Sequence, residues 1–403
     1  MKNNLPDVKF LYPEDPGPGI LARCNPMEPF AEETITWLHA LSLVLKRDPE
    51  TRGHPDVATF AFFCRRANLL QLKKKYYPGS SLRLGRGLVF HITPKNVPVT
   101  FAWSLLCGML AGNANIVKVP SEISARADIL CRAISDLGKV SAFRPVSSRQ
   151  VLVRYAHENP ATAFFSSMCD VRMIWGGDAT IGEIRKNILP PRAFDVTFAS
   201  RYSLCVIHAG SFMTNPSPGK VAAGFYNDTY LSAQEACTSP HLVAWLGSDN
   251  EVAAARSVFW DHVYKIVKSR YHLQPHAAVD KLTTFCLQAA QSDGIKKTVM
   301  PDNLVWRTEL KSLPEDIDRY RCGGGYFSEC RIHVLSDLSA TINGKYQTLS
   351  YFGIEKEELE NFITRGRPGG IDNIIPIGRS LEFSLIRDGY NLVDTLSREI
   401  TVT

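Results

Sequence analysis

Ten cysteines are scattered singly along 403 residues, with no CxxC pair and no cysteine–histidine cluster at zinc-ligand spacing. They read as reduced thiols, most of them buried, and no metal site is expected. Cys237 differs in its surroundings. It lies in Ser232-Ala233-Gln234-Glu235-Ala236-Cys237-Thr238-Ser239-Pro240, small and polar residues between a helical pattern and an apolar strand. At such a junction a thiol is partly exposed, and turn amides or a helix end favour the thiolate, the form that attacks a carbonyl carbon. The local sequence is equally compatible with a buried structural thiol. His241, four residues on, offers a proton donor or thiolate partner, against the commoner role of a core histidine. None of the ten histidines forms an HxH or HExxH pattern.

Three further segments can carry chemistry. Gly177-Asp178-Ala179-Thr180-Ile181-Gly182 follows the expected strand 171–175 and Gly176. Glycines on either side of this connection would let a cofactor phosphate approach helix-terminal amides, although tight-turn glycines without a ligand look the same. The spacing is not GxGxxG, and the absence of GK[ST] argues against a nucleotide-hydrolysing P-loop. Asn96 ends the turn Thr93-Pro94-Lys95-Asn96, where its amide can donate to a developing oxyanion or simply stabilise the turn. Lys118, Ser121 and Glu122 stand where a strand gives way to a helix, the usual place for ribose and phosphate contacts in an α/β sheet and equally a solvated helix start.

These residues need elements to position them. Residues 34–46 and 57–74 carry apolar residues at helical spacing, after a proline-rich arm over 1–30. From Gly85 the pattern alternates: strand 88–92, helix from Pro98 to Gly112, strand 115–119, helix 123–137 capped by Ser121, strands 150–155 and 171–175, and a helix over 181–186. This is the grammar of a parallel sheet with right-handed crossovers. A second unit starts near Ser203, with strand 204–208, helix 220–230, strand 241–245 past Cys237, and helix 251–268. The last strand-like run, 398–402, is expected to reach another subunit.

Composition sets outer limits. Hydrophobic residues make up 45% and charged residues 21%, as in ordinary globular proteins, and the net charge is +6. The basic residues are dispersed apart from Lys73, Lys74 and Lys75, which suit a helix carboxyl end, so no nucleic-acid partner is expected. No apolar run approaches the roughly 20 residues that span a bilayer, and residues 1–9 lack a signal-like core. A cytoplasmic location is the expectation.

Taken in order, the segments resemble the aldehyde dehydrogenase superfamily, especially its acyl-CoA reductase branch, which includes the long-chain fatty-acid reductase of bacterial bioluminescence. The resemblance runs from about Gly85 to the carboxyl end. It rests on Ile92-Thr93-Pro94-Lys95-Asn96-Val97-Pro98, on Leu110-Ala111-Gly112-Asn113-Ala114-Asn115-Ile116-Val117-Lys118-Val119-Pro120-Ser121-Glu122, on Trp175-Gly176-Gly177-Asp178-Ala179-Thr180-Ile181-Gly182 and on the cysteine stretch. Lys345-Tyr346-Gln347-Thr348-Leu349 and Gly370-Ile371-Asp372-Asn373-Ile374-Ile375-Pro376-Ile377-Gly378 are similar to the reductase branch in particular.

The resemblance implies an α/β fold: a Rossmann-type parallel-sheet cofactor domain over 85–202, with 1–84 as its arm and helices, a catalytic domain over 203–380, and a small oligomerisation element over 381–403. It implies that Cys237 is the nucleophile and that Asn96 and the Cys237 amide form an oxyanion hole. Thr93, Pro94, Lys118, Ser121, Glu122, Gly176, Gly177, Asp178, Ile181 and Gly182 would border the cofactor, NADPH or NADH.

Three departures shape the expected chemistry. Hydrolysing members of the superfamily carry a glutamate before the cysteine, whereas Val196-Thr197-Phe198-Ala199-Ser200-Arg201 holds no carboxylate. Water activation is then poor, while exchange with a thiol needs no water. Lys118 stands one residue earlier than the family's ribose lysine. In Gly325-Tyr326-Phe327-Ser328-Glu329 no residue takes the family's nicotinamide-ribose role, and Glu329 is not assigned it. The expected reaction is NAD(P)H-dependent reduction of an acyl-CoA or acyl-carrier-protein thioester to an aldehyde. The alternatives are an aldehyde-oxidising dehydrogenase and a non-redox acyl-holding protein. A homo-oligomer and an acyl-transferring partner protein are expected as well.

Overall fold

A computed structural model of the protein describes residues 5, 7–15, 25–79, 81–94, 97–122, 124–292 and 294–403. The chain divides into two units, Met1–Ala199 with Tyr390–Thr403, and Ser200–Gly389.

The first unit is built on a six-stranded sheet of β1 (Lys9–Tyr12), β3 (Leu88–Ile92), β4 (Ala114–Lys118), β5 (Gln150–Arg154), β6 (Val171–Trp175) and β7 (Phe194–Phe198), in the order β1-β5-β4-β3-β6-β7. All neighbours are parallel except β1, which runs antiparallel to β5. From β3 the chain lays strands first on one side and then, from β6, on the other. The ladder therefore reverses direction between β3 and β6, the topological switch point of a doubly wound sheet. All five positions of β3 are buried, four of them apolar, as expected where helices cover both faces.

One polar element runs through this core. His91 Nδ1 pairs with Ser104 Oγ at 2.7 Å and its Nε2 with Asn115 Oδ1 at 2.9 Å. Asn115 Nδ2 donates to Gln150 Oε1 at 2.8 Å, and Gln150 Nε2 to the Val146 carbonyl at 3.1 Å. Three adjacent strands are thus joined by a network in which every member has a partner.

Several elements differ from expectation. Residues 57–74 form two helices, Pro55–Phe63 and Arg66–Tyr76, because Arg65 is extended and Asn68 Nδ2 caps the Phe63 carbonyl. Lys73, Lys74 and Lys75 do occupy a last helical turn. Ser121 is not a helix cap. Its Oγ donates to the Tyr155 carbonyl, and the helix starts later, as Ala125–Gly138. The run expected to leave the chain pairs within it: Ser397–Glu399 lies antiparallel to β2 (Arg83–Gly85).

The second unit holds seven strands: β8 (Tyr202–His208), β9 (Pro240–Leu246), β10 (Ile295–Val299), β11 (Trp306–Leu310), β12 (Tyr326–Ile332), β13 (Tyr346–Phe352) and β14 (Asn373–Pro376), ordered β10-β11-β12-β9-β8-β13-β14. Only the edge strand β10 is antiparallel. Alternate residues enter opposite cores, Leu204, Val206, Leu242 and Ala244 on one face and Cys205, Ile207, Val243 and Trp245 on the other. The helix Asp249–Arg270 begins with a capping box between Ser248 and Glu251 and packs its buried Phe259 and Trp260 on the second face.

Candidate active site

In the first unit a cavity of about 590 Å³ opens at the carboxyl ends of β3, β4, β5 and β6, around the switch point. The volume falls in the roughly 300–1,000 Å³ range of small-molecule and cofactor sites, at the place open α/β sheets use for them. Of the predicted cofactor residues, Thr93, Pro94, Lys118, Ser121, Gly176 and Gly177 line it. Glu122, Asp178, Ile181 and Gly182 do not. Ile181 is buried in the apolar core beneath, and a side chain at Gly182 would meet nothing within 4 Å, so packing does not require glycine there.

Three strand ends are tied together at this cavity. Thr93 Oγ1 donates to the Lys118 carbonyl at 3.0 Å and Ser121 Oγ to the Tyr155 carbonyl at 3.1 Å, which leaves both hydroxyl oxygens able to accept. The Lys118 ammonium rests 4.3 Å from the Tyr155 ring centroid. Gly177 caps the helix Asp178–Arg185, whose first-turn amides have no partners within the helix. A cation, hydroxyls and a helix start around one cavity fit a phosphate-bearing dinucleotide. The loop His157-Glu158-Asn159-Pro160, together with Asn187, also lines the cavity and was not picked out in the sequence. The strand 150–155 was legible, and its carboxyl end carried the missing signal.

The second unit holds Cys237, partly exposed, in the turn that leads into β9. Ala233 and Gln234 both adopt left-handed backbone, φ 50° and 63°, at a cost of about 1–2 kcal/mol each for residues with a β-carbon. Gln234 offsets this. It is fully buried, its Nε2 donates to the carbonyls of Pro240 (3.0 Å) and Tyr326 (2.9 Å), and its Oε1 accepts from the amides of Gly325 (2.9 Å) and Tyr326 (3.0 Å). The cysteine turn is thereby fastened to the loop 323–325. That loop is fixed in turn by buried Lys281, which donates to the carbonyls of Gly324 and Asn303 and whose pKa burial lowers to about 8. Gly325 has φ +89°, and a β-carbon there would stand 2.5 Å from the Leu304 carbonyl oxygen, so the close approach demands glycine.

Ser203 Oγ, at the start of β8, donates to the Cys237 carbonyl at 2.7 Å and accepts from the Thr348 amide at 3.2 Å. The cysteine turn therefore sits at the amino-terminal edge of this sheet, beside the starts of β8, β9, β12 and β13. The reductase-like motifs surround it. Gln347 Nε2 donates to the buried Asp388 carboxylate, and the Asp228 carboxylate accepts from the amides of Gly378 (2.6 Å) and Ser380 (2.9 Å). Arg387 Nη2 lies 3.2 Å from Cys237 Sγ. Asn96, the predicted oxyanion donor, lies outside the described residues.

His241 and Glu329 are both held in structural contacts. His241 is buried, with Nδ1 3.0 Å from the Cys322 carbonyl, and burial lowers its pKa from 6.5 to about 3, so at ordinary pH the ring is neutral and is not an imidazolium acid. Glu329 is 2% exposed. It accepts from the indoles of Trp245 (2.9 Å) and Trp260 (2.7 Å) and pairs with Arg256 and Arg307. Among the described residues no group of three or more His, Cys, Asp or Glu can hold a metal ion, and no helix is long and apolar enough to cross a membrane.

The two sheets and their order define an aldehyde dehydrogenase-like fold. Aldehyde dehydrogenase 21 of Physcomitrella patens superposes with a TM-score of 0.66 at 9% identity, covering 95% of this chain and 87% of that one. Lactaldehyde dehydrogenase of Escherichia coli does so at 0.65 and 11% identity, covering 96% and 88%. The chain belongs to the acyl-CoA reductase (LuxC) family, whose sequence model matches residues 64–309. It is 28% identical over 167 residues to a long-chain acyl-protein thioester reductase of Aliivibrio fischeri, and 26% over 168 residues to one of Photorhabdus laumondii. Each match covers 41% of this chain and 33% of the relative. Family and fold together imply a nicotinamide cofactor.

Proposed function

We infer that this protein reduces an acyl thioester to an aldehyde through a covalent thioester on Cys237. The observation that carries this reading is a partly exposed thiol with a guanidinium donor on its sulfur, in a turn anchored by a fully buried glutamine, within a chain of the acyl-CoA reductase family. The Cys237 thiolate attacks the acyl carbon, the substrate thiol leaves, and the acyl group is held on Sγ. A reduced nicotinamide cofactor, when bound, supplies hydride to that carbon. Collapse breaks the C–Sγ bond and releases the aldehyde, with Asn96 and the Cys237 amide as donors to the oxyanion. Thr93, Pro94, Lys118, Ser121, Gly176 and Gly177 would hold the cofactor.

The acid-forming alternative needs a base for water. Asp195, the carboxylate next to the segment 196–201, is bound to Arg172 at 2.7 Å and so is not available for that role. The relatives' names point to a long-chain acyl group on a protein thioester, which brings with it a protein partner that delivers the acyl group. Coenzyme A thioesters share the same reacting atoms.

The test is turnover of acyl-CoA and acyl-carrier-protein thioesters of graded length with NADH and with NADPH, trapping the product carbonyl. Aldehyde should form in step with cofactor oxidation. Steady conversion of aldehyde to free acid with oxidised cofactor and no thiol would replace this reading with the oxidising dehydrogenase. An acylated protein that quenches no cofactor fluorescence would be an acyl holder.

A further inference from the structure

Arg387 is 150 residues from Cys237 in sequence, yet its Nη2 is 3.2 Å from the cysteine sulfur, within hydrogen-bonding reach of that atom. Both partners are held from other elements. Ser203 fixes the Cys237 carbonyl, and Gln234 fixes the turn. On the other side the buried Asp388 carboxylate is bound by Gln347 Nε2 and lies 3.5 Å from Arg201 Nε. Asp388 and Gly389 both take left-handed backbone, φ 48° and 75°, a tight turn that Asp388 anchors immediately beside Arg387. The other charged groups of these elements are Glu235 with Arg321 on its carbonyl, Asp228 behind Ser239, and Asp372 near Arg201 and Asp388.

We propose that Arg387 is a catalytic residue that stabilises Cys237 as a thiolate, both before attack and again as the leaving group. The assignment rests on Cys237 being the acylated residue. In the first step a new C–Sγ bond forms as the substrate's C–S bond breaks, and the departing thiolate carries the electron pair away. While the acyl group is attached, Sγ is a neutral thioester sulfur. After hydride addition to the acyl carbon the C–Sγ bond breaks, the carbonyl re-forms, and the electron pair returns to Sγ. Sulfur is thus anionic at the beginning and end and neutral between. A fixed guanidinium beside it favours the two anionic states, and no proton donor to sulfur is required. Arg387-Asp388-Gly389 reads in the sequence as an ordinary turn, which is why this partner was missed.

The experiment measures iodoacetamide alkylation of Cys237 by peptide mass, because Cys286 is also exposed, in wild type, Arg387→Gln and Arg387→Lys. Near neutral pH the glutamine variant should alkylate about tenfold more slowly than wild type, and at about pH 10, where thiols ionise without help, the two should converge. The lysine variant keeps a cation and should stay within about threefold of wild type near neutral pH. Added guanidinium should restore part of the loss in the glutamine variant. Equal rates at both pH values, or an equal reduction at both, would overturn the assignment. If the glutamine variant does not fold, a lysine variant slowed tenfold near neutral pH would also overturn it. Alkylation needs no acyl substrate, so its outcome is independent of whether wild type forms an acyl adduct. A wild type that alkylates as expected but never acylates would sink the reductase reading instead.

Discussion

At the residue scale, the cysteine turn depends on one side chain that the sequence presents as ordinary. Gln234 makes four hydrogen bonds while buried, and two of them satisfy the amides of Gly325 and Tyr326. Truncation would strand those amides at about 1–3 kcal/mol apiece and free a backbone that prefers not to be left-handed. Gln234→Ala should lower the stability of the second unit by about 2–4 kcal/mol, read as earlier urea unfolding followed at β9 and β12 by amide exchange. Unchanged exchange there would show that the turn holds itself. The partial exposure of Cys237 was legible in the small and polar residues that flank it. Gln234 and Arg387 were not, since their partners lie 92 and 150 residues away.

Elements were the most legible level. The strands 88–92, 115–119, 150–155 and 171–175 are legible in the sequence to within a residue, and the cavity forms where they end, whereas β1 and β7 are not legible and 57–74 reads as one helix. Roles assigned from position alone were less secure. Ser121 reads as a helix cap but ties strand ends, and Gly182 reads as a cofactor glycine but does not line the cavity. The polar network across β3, β4 and β5 was also invisible, because His91, Asn115 and Gln150 sit in separate segments joined only by strand order.

That network makes the first unit acid-sensitive. Burial lowers the His91 pKa from 6.5 to about 4, so the unfolded chain binds a proton that the folded chain does not between those values. Stability conferred by neutral His91 is complete above 6.5 and is lost as pH falls towards 4, at up to about 1.4 kcal/mol per pH unit. As pH falls through this window, the protection of β3 and β4 amides relative to unstructured peptide at the same pH should decrease, and do so less in His91→Gln. The same slope in both proteins would mean that another group titrates.

At the scale of the whole molecule, each unit carries a chemical feature of its own. The first presents a cavity at the carboxyl edge of a doubly wound sheet, and the second presents a thiol at the amino edge of its own. Each arrangement follows from strand order, which is why motifs 60 to 141 residues apart in sequence are informative only when taken together (Asn96, Gly177, Cys237 and Gly378). Family membership and the carboxylate-free segment 196–201 both support the proposed thioester reduction over acid formation.

The central claim is that Cys237 carries the acyl group. Intact-mass measurement after incubation with acyl-CoA or acyl-carrier protein, without reduced cofactor, tests it directly. Wild type should gain the mass of one acyl group, lose it on addition of reduced cofactor, and Cys237→Ala should gain none. A folded wild type with no adduct, or an adduct that persists in Cys237→Ala, would contradict the account.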